Sequence, residues 1–134
     1  MSNFIKSYQA NVGLNHVPAY QVSGQPFATG SINAATAVKV EFPYVTRWVY
    51  VVNRGAADVR VGFSQAGVEG TNYFVIGQPA SGIFQNSCRM EMKVSELWLS
   101  GSGVVDVVAG MTSIPSSRTT TDDGPSWSGS AGVG

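Results

Sequence analysis

Residues 46–52 read Thr-Arg-Trp-Val-Tyr-Val-Val, and almost every one of these positions holds a β-branched or aromatic side chain. Such side chains suit a strand that is packed on one or both faces better than they suit a helix. The next residues, Asn-Arg-Gly-Ala-Ala at 53–57, include a glycine that tolerates positive φ, and residues 58–63 alternate polar with apolar. The pattern predicts a β-hairpin at the centre of the chain.

Short apolar runs separated by turn residues continue on both sides of this hairpin. The most regular alternation lies in residues 88–94, where apolar side chains hold the even positions and Cys88 is predicted to fill the core. The apolar positions become odd-numbered at Leu97 and Leu99, which predicts a bulge or corner just before them. A hairpin tip is expected at residues 101–103. The count is about eight strands, with turns roughly every 8 to 12 residues, which is the spacing of a two-sheet sandwich.

The sequence therefore predicts an all-β fold, a single antiparallel β-sandwich of about eight strands with little or no helix. Its 134 residues suit one domain. The sandwich is expected to span residues 18–112, between an extended N-terminal arm at 1–17 and a low-complexity C-terminal tail at 113–134. The predicted core residues are Val49, Val51, Val59, Val61, Met90, Met92, Leu97 and Leu99.

The chain carries few charges, with eight basic and eight acidic side chains that make up 12% of the residues and leave zero net charge. Such a surface has no strong field to hold phosphate backbones, so nucleic acid is not an expected partner. A surface without net charge also promotes self-association. No apolar run approaches the roughly 18 residues of a membrane span, and polar residues interrupt 1–14 too often for a signal peptide. We therefore expect synthesis and folding in a cytosol.

The sequence offers few groups for catalysis. His16 is the single histidine and Cys88 the single cysteine, so a catalytic triad or a clustered metal site has little to draw on. The carboxylates fall mostly on the polar faces of predicted strands, where solvated charge is ordinary. We expect no catalytic, cofactor-binding or metal-binding residue and no enzymatic activity. Three aromatic residues at strand positions, Trp48, Tyr50 and Trp98, leave open a flat platform for a sugar.

Both ends of the chain carry apolar side chains that can serve as partner contacts. In the arm, Phe4, Ile5 and Tyr8 fit either an edge strand of the same domain or an extension that docks on another subunit. The tail is rich in Gly, Ser and Thr, and its own contacts are not expected to offset its ordering entropy. Its one large side chain, Trp127, is predicted to anchor it on a neighbouring subunit. Removal of the tail should then leave the sandwich folded.

Four segments follow one another along the chain: Val-Thr-Arg-Trp-Val-Tyr-Val-Val-Asn at 45–53, Val-Gly-Phe-Ser at 61–64, Gly-Thr-Asn-Tyr-Phe at 70–74 and Lys-Val-Ser-Glu-Leu-Trp-Leu-Ser-Gly at 93–101. In texture and order they resemble the small single-domain β proteins of icosahedral virions. These are the minor capsid or penton jelly rolls of large DNA viruses and the head decoration proteins of phages. The resemblance covers residues 18–112 and carries over no functional residue.

The resemblance implies a jelly-roll-like sandwich that acts as a non-enzymatic structural subunit of a virion shell. Its implied partners are copies of itself and a major capsid or shell protein. It also implies a location in the virion after synthesis in the host cytoplasm. The alternative, drawn from the aromatic residues, is a carbohydrate- or receptor-binding β-sandwich module with a glycan as ligand.

Overall fold

The chain forms eight strands in two antiparallel sheets of four within residues 13–15, 17, 24–80 and 83–134, which the computed structural model describes. The strands are β1 (Gln25–Ile32), β2 (Val38–Glu41), β3 (Tyr44–Asn53), β4 (Val59–Gly62), β5 (Tyr73–Ile76), β6 (Gln85–Asn86), β7 (Glu96–Ser100) and β8 (Val105–Pro115). One helical turn, α1 (Gln65–Glu69), lies between β4 and β5 where a loop is predicted, and a 3-10 helix (Ser116–Thr119) follows β8. The predicted all-β sandwich of about eight strands is confirmed.

The strands wrap around the sandwich in a nested order. The first sheet has the order β1-β8-β3-β6, and the second has the order β2-β7-β4-β5. The antiparallel pairs β1 with β8, β2 with β7, β3 with β6 and β4 with β5 therefore enclose one another. A double sheet of eight antiparallel strands connected in this way is a jelly roll. The expected jelly-roll-like topology is present.

The predicted central hairpin is wrong, because β3 and β4 lie in different sheets. Their connection crosses the sandwich, and the fully buried Asn53 holds it there. The side-chain nitrogen of Asn53 donates to the main-chain oxygens of Ala57 at 2.8 Å and Gly77 at 3.1 Å, while its Oδ1 accepts from Ser102 Oγ at 2.8 Å. Residues 101–103, predicted as a hairpin tip, likewise join β7 in the second sheet to β8 in the first.

Residues 88–94 run beside β3 without forming the predicted strand. Within the described residues their bridge to β3 is at Met90, whose main-chain N and O lie 2.9 and 2.8 Å from the O and N of Val49. Met90 and Met92 are half-buried and pack against the core, whereas Cys88 is exposed. The prediction that Cys88 fills the core is wrong, because this edge is irregular and leaves the thiol facing solvent.

The core lies between the two sheets and follows the predicted alternation elsewhere. The chain bends at Ser95, which confirms the corner that the change of apolar parity predicts. The fully buried members of the predicted core are Val49, Val51, Val59, Val61, Leu97 and Leu99. Strand β8 contributes further buried side chains from the centre of the first sheet, and Val105, Val107 and Ala109 are among them.

The C-terminal tail follows the surface of its own sandwich. Strand β8 continues beyond residue 112 to Pro115, and the 3-10 helix then leads the chain into a series of turns. A bridge between Thr121 and Gly124 closes one of these turns. The end of the tail reaches α1, where Ser64 Oγ donates to the main-chain oxygen of Val133 at 2.7 Å.

Two adjacent tail residues fix it to the body of the domain. The buried Ser126 Oγ accepts hydrogen bonds from the main-chain N–H groups of Ser95 at 3.1 Å and Glu96 at 3.3 Å. Trp127 packs against the core cluster, and its indole N–H donates to the main-chain oxygen of Lys93. The expectation that the tail lacks partners within its own chain is therefore wrong. Side-chain hydrogen bonds and one aromatic contact supply the favourable free energy that its Gly-, Ser- and Thr-rich composition does not.

Of the N-terminal arm, a short piece at Leu14 can be placed. Leu14 packs against Val45 and Ile114, and its main-chain oxygen accepts a hydrogen bond from Lys93 Nζ at 3.1 Å. Phe4, Ile5 and Tyr8 lie outside the described residues, so their predicted contact with another subunit stays a prediction. Among the residues that the structure describes, no helix is long and apolar enough to cross a membrane.

Candidate binding cleft

The outer face of the second sheet carries an aromatic residue beside a carboxylate. Leu97 and Leu99 of β7 point into the core, so Glu96 and Trp98 occupy the opposite face. Lys39 of β2 is the register partner of Trp98 on one side, and Gly62 of β4 is its partner on the other. These neighbours bring a cation, a carboxylate and an indole together on rigid strands.

Gly62 makes room on this face for α1. A Cβ atom at Gly62 would stand 3.0 Å from the Cβ of Val68, so a side chain there would push the helical turn away from the sheet. Ser64 caps the turn by accepting a hydrogen bond from the N–H of Gly67 at 2.9 Å. The capped turn forms one wall beside Trp98.

The C-terminal tail forms the other wall, and the result is an outer cleft of about 690 Å³. This volume lies within the ordinary range for small-molecule sites. The lining residues come from β2, β7, the α1 region and the tail, and they are Lys39, Ser64, Gln65, Ala66, Glu96, Trp98, Asp123, Pro125, Ser128, Gly129 and Gly134. We call this feature the outer cleft.

Glu96 is the most unusual residue of the outer cleft, because it is an acidic side chain that is only 5% exposed. Its Oε2 accepts a hydrogen bond from the indole N–H of Trp98 at 2.6 Å, the one hydrogen bond to this carboxylate from the described residues. A buried carboxylate costs free energy unless its lone pairs are used. The Glu96 carboxylate therefore retains unused capacity to accept hydrogen bonds at the wall of the cleft.

Lys39 supplies positive charge close to Glu96. Its Nζ lies 2.7 Å from Oε1 of Glu41, and the hydrogen bond between them raises the pKa of Lys39, with the charges of Glu41 and Glu96 acting in the same direction. The lysine is therefore a stable ammonium at neutral pH. With Asp123 on the tail, the outer cleft presents charges of both signs.

The outer cleft is suited to hydrogen bonding and stacking. A carboxylate accepts hydrogen bonds, an ammonium donates them, and an indole offers an apolar surface. The described residues contain no group of three or more His, Cys, Asp or Glu side chains that could hold a metal ion. The single histidine of the sequence, His16, lies outside the described residues.

The two other aromatic residues considered as sugar platforms lie on the outer face of the first sheet. Trp48 rests against Gly110, where a Cβ atom would come within 2.3 Å of the indole nitrogen. The guanidinium of Arg89 lies over the Trp48 ring at 5.7 Å from its centroid. Tyr50 is half-buried on the same sheet. Trp48 is thus occupied by contacts within its own chain, and of these three aromatic residues Trp98 lines the outer cleft.

The sequence reasoning named Trp98 but missed Glu96, Asp123 and the contribution of the tail. Trp127, the predicted partner contact, lies on its own sandwich, and a contact with a neighbouring subunit stays a prediction. The available signal was the spacing of Glu96 and Trp98, which are two residues apart and therefore share one face of a strand. Burial of Glu96 by residues from 123 onward was not readable from local pattern.

A second surface feature lies where the free sides of β5 and β6 adjoin. Three large apolar side chains are exposed on β5 and on the segment that leads into β6, with exposed fractions of 51% for Val75, 66% for Ile83 and 53% for Phe84. A hollow of about 370 Å³ separates the two strands and is lined by residues of both. We call Val75, Ile83 and Phe84 the apolar edge.

The strand order and the nested pairing define the chain as a jelly-roll protein, an antiparallel β-sandwich with a cleft on one outer face and an apolar edge on one side. Comparisons with family models, with curated proteins and with solved structures find no match to this chain.

Proposed function

We propose that the chain is a non-enzymatic structural subunit of a virion shell, in the position of a minor capsid, penton or decoration protein. Its partners in this proposal are copies of itself and a major capsid or shell protein, and it is made in the host cytoplasm before it enters the virion. The observation that carries the proposal is the apolar edge on a jelly roll. Jelly rolls are a recurrent architecture of viral capsid domains, and capsid subunits are covered by neighbours in use.

Strand β5 of the apolar edge has no charged residue, proline or bulge. Strand β5 reads Tyr-Phe-Val-Ile and ends the second sheet, and within the described residues it pairs only with β4. Natural edge strands are commonly protected by charge, proline or bulges. An uncharged edge with exposed apolar side chains favours a neighbouring chain as its cover.

The opposite side of the sandwich has such protection. There β2 carries Lys39 and Glu41, whose charged groups lie 2.7 Å apart. Strand β1 has a proline, Pro26, as its second residue and shifts register between Thr29 and Ile32. Because the opposite side is protected, we infer that the unprotected edge at Val75 is the side that contacts a neighbouring chain. With zero net charge, the chain also has little long-range repulsion to oppose association.

The test is self-association of the full chain, measured by size-exclusion chromatography with light scattering over a range of concentrations. We expect association that rises with concentration and is lost in the double variant Ile83→Ser, Phe84→Ser. The matched control is Tyr44→Ser, which removes another exposed aromatic residue away from the apolar edge. A wild-type chain that stays monomeric throughout, or a double variant that associates as well as wild type, contradicts the proposal.

Carbohydrate or receptor binding is the second candidate function. The outer cleft is the observation that favours it, since Glu96 and Trp98 form a polar and aromatic pair on one wall. The two functions are compatible in one protein, because the outer cleft and the apolar edge share no residue.

A further inference from the structure

We propose that the outer cleft binds a neutral saccharide between Trp98, the Glu96 carboxylate and the tail residue Asp123. The inference rests on the second candidate function and names its site and ligand class. It is independent of the shell role.

A hydrogen bond fixes the geometry of Glu96 and Trp98 in the outer cleft. The 2.6 Å hydrogen bond from the indole N–H holds the carboxylate at the edge of the aromatic ring. A pyranose that lies against an indole presents hydroxyl groups around its rim and C–H groups to the ring face. One of those hydroxyls can donate to Glu96 while the sugar remains in contact with Trp98. Both partners belong to β7, which the core side chains on either side hold in place.

The buried Glu96 carboxylate has unused capacity to accept hydrogen bonds. Glu96 is only 5% exposed, and its position deprives the carboxylate of most of its hydration. Lys39, on which the charge of Glu96 acts, is engaged at 2.7 Å with Glu41. A ligand hydroxyl can donate to the Glu96 carboxylate, which accepts one hydrogen bond from the described residues, that of Trp98. A structural residue in this place would gain more by being apolar.

The charges that line the outer cleft bear on the charge of its ligand. The lining of the outer cleft contains the ammonium of Lys39 and the carboxylates of Glu96 and Asp123. The two carboxylates disfavour an anionic ligand, and the ammonium of Lys39, which is paired with Glu41, contributes to the lining as a hydrogen-bond donor. Neutral hydroxyl groups satisfy both kinds of side chain, because they donate to carboxylates and accept from ammonium. The lining therefore disfavours an anion and offers both donors and acceptors to a neutral ligand with several hydroxyls.

The tail completes the site through Asp123. Gly129 has a φ of +81°, and a Cβ atom there would fall 2.0 Å from Oδ2 of Asp123. The glycine thus lets the turn pass directly beside the carboxylate, and Asp123 lines the same cleft as Glu96 and Trp98. This arrangement explains how a chain end of simple composition contributes to a binding site.

The test is saturation-transfer difference NMR on the full chain with glucose, galactose, mannose, N-acetylglucosamine and their disaccharides at millimolar concentration. Spermidine and sialic acid serve as cationic and anionic probes. We expect transfer to at least one neutral sugar and to neither charged probe. Trp98→Ala and Glu96→Gln should each weaken that binding by about tenfold or more, because each removes a stacking surface or a charged acceptor.

The matched controls are Trp48→Phe on the other sheet and Glu91→Gln at an exposed position of residues 88–94, and both should bind as wild type. Far-UV circular dichroism checks that each variant is folded. If Glu96→Gln does not fold, Asp123→Asn at the exposed wall takes its place, with the same expected direction. Absence of transfer to every neutral sugar, preference for a charged probe, or unchanged binding in both cleft variants would overturn the inference. Light scattering on the same samples reports assembly separately, so failure of one proposal is distinguishable from failure of the other.

Discussion

Replacement of Trp127 by alanine tests whether the tail is part of the folded domain. The residue packs against the core cluster, lines a hollow of about 490 Å³ with Phe63 and Met92, and donates its indole N–H to the main-chain oxygen of Lys93. The variant Trp127→Ala removes the aromatic contact and the hydrogen bond together. It leaves the turns of the tail without their largest anchor.

The expected loss follows from burial. Truncation of a fully buried aromatic residue to alanine costs about 3 to 5 kcal/mol. Trp127 is half-buried, so we reduce the packing share to about 1 to 2 kcal/mol and add about 1 kcal/mol for the lost hydrogen bond. The sum of about 2 to 3 kcal/mol corresponds to a Tm lowered by about 6 to 12 °C in a domain of this size.

Thermal unfolding followed by circular dichroism measures the effect, with urea denaturation as a second readout. Asp122→Ala is the matched control, since it changes an exposed residue of the same tail and should shift stability by less than about 0.5 kcal/mol. If Trp127→Ala melts with the wild-type Tm, the tail does not stabilise its own sandwich. The sequence-based idea that it anchors on a neighbour would then regain its force.

Three further outcomes follow from contacts described in the structure. Asn53→Ala should lower the free energy of unfolding by about 2 to 4 kcal/mol, because several buried polar groups lose their partner, whereas the exposed Asn86→Ala should change it by less than about 0.5 kcal/mol in urea titrations. The hydrogen bonds from Arg54 to Asp106, at 2.6 and 3.0 Å, lower the pKa of Asp106 against the opposing effect of burial. Its stabilisation should therefore be full above the unfolded pKa and vanish as the pH falls through the folded pKa; a stability difference from Asp106→Asn that stays constant down to about pH 2 would refute this. Cys88 should react with a thiol reagent in the native protein as fast as in urea, and strong native protection would restore it to the core.

The strand positions could be predicted from sequence better than their partners. Alternation at Val59 and Val61, and again at Leu97 and Leu99, marks an inward face whichever sheet the strand joins. Alternation does not show whether the two strands that flank a turn pair side by side in one sheet or face one another across the core. After β3, the buried Asn53 holds the connection across the core by donating to the main-chain oxygens of the nearby Ala57 and of Gly77, which is 24 residues away. Its partners lie in three connections, so no local window contains the information.

The outer cleft was less predictable for a related reason. Glu96 stands on the polar face of its strand, where a solvated carboxylate is the ordinary reading. The burial of Glu96 depends on the tail, whose Ser126 hydroxyl accepts hydrogen bonds from the main-chain N–H groups of residues 95 and 96. Composition alone assigned that tail to disorder, because Gly, Ser and Thr contribute little apolar area. Side-chain hydrogen bonds at particular positions reversed the outcome.

The nested pairing also sets the order in which this protein becomes whole on the ribosome. Strand β8 stands between β1 and β3, and β7 stands between β2 and β4. Until the residues of β7 and β8 have been synthesised, β1 and β2 have no neighbours, and β4 with β5 form the one adjacent pair joined locally. A chain interrupted before residue 96 therefore exposes the apolar faces of both half-built sheets. Closure between segments so far apart is slow relative to local pairing, so the nascent chain depends on protection until its last strand arrives.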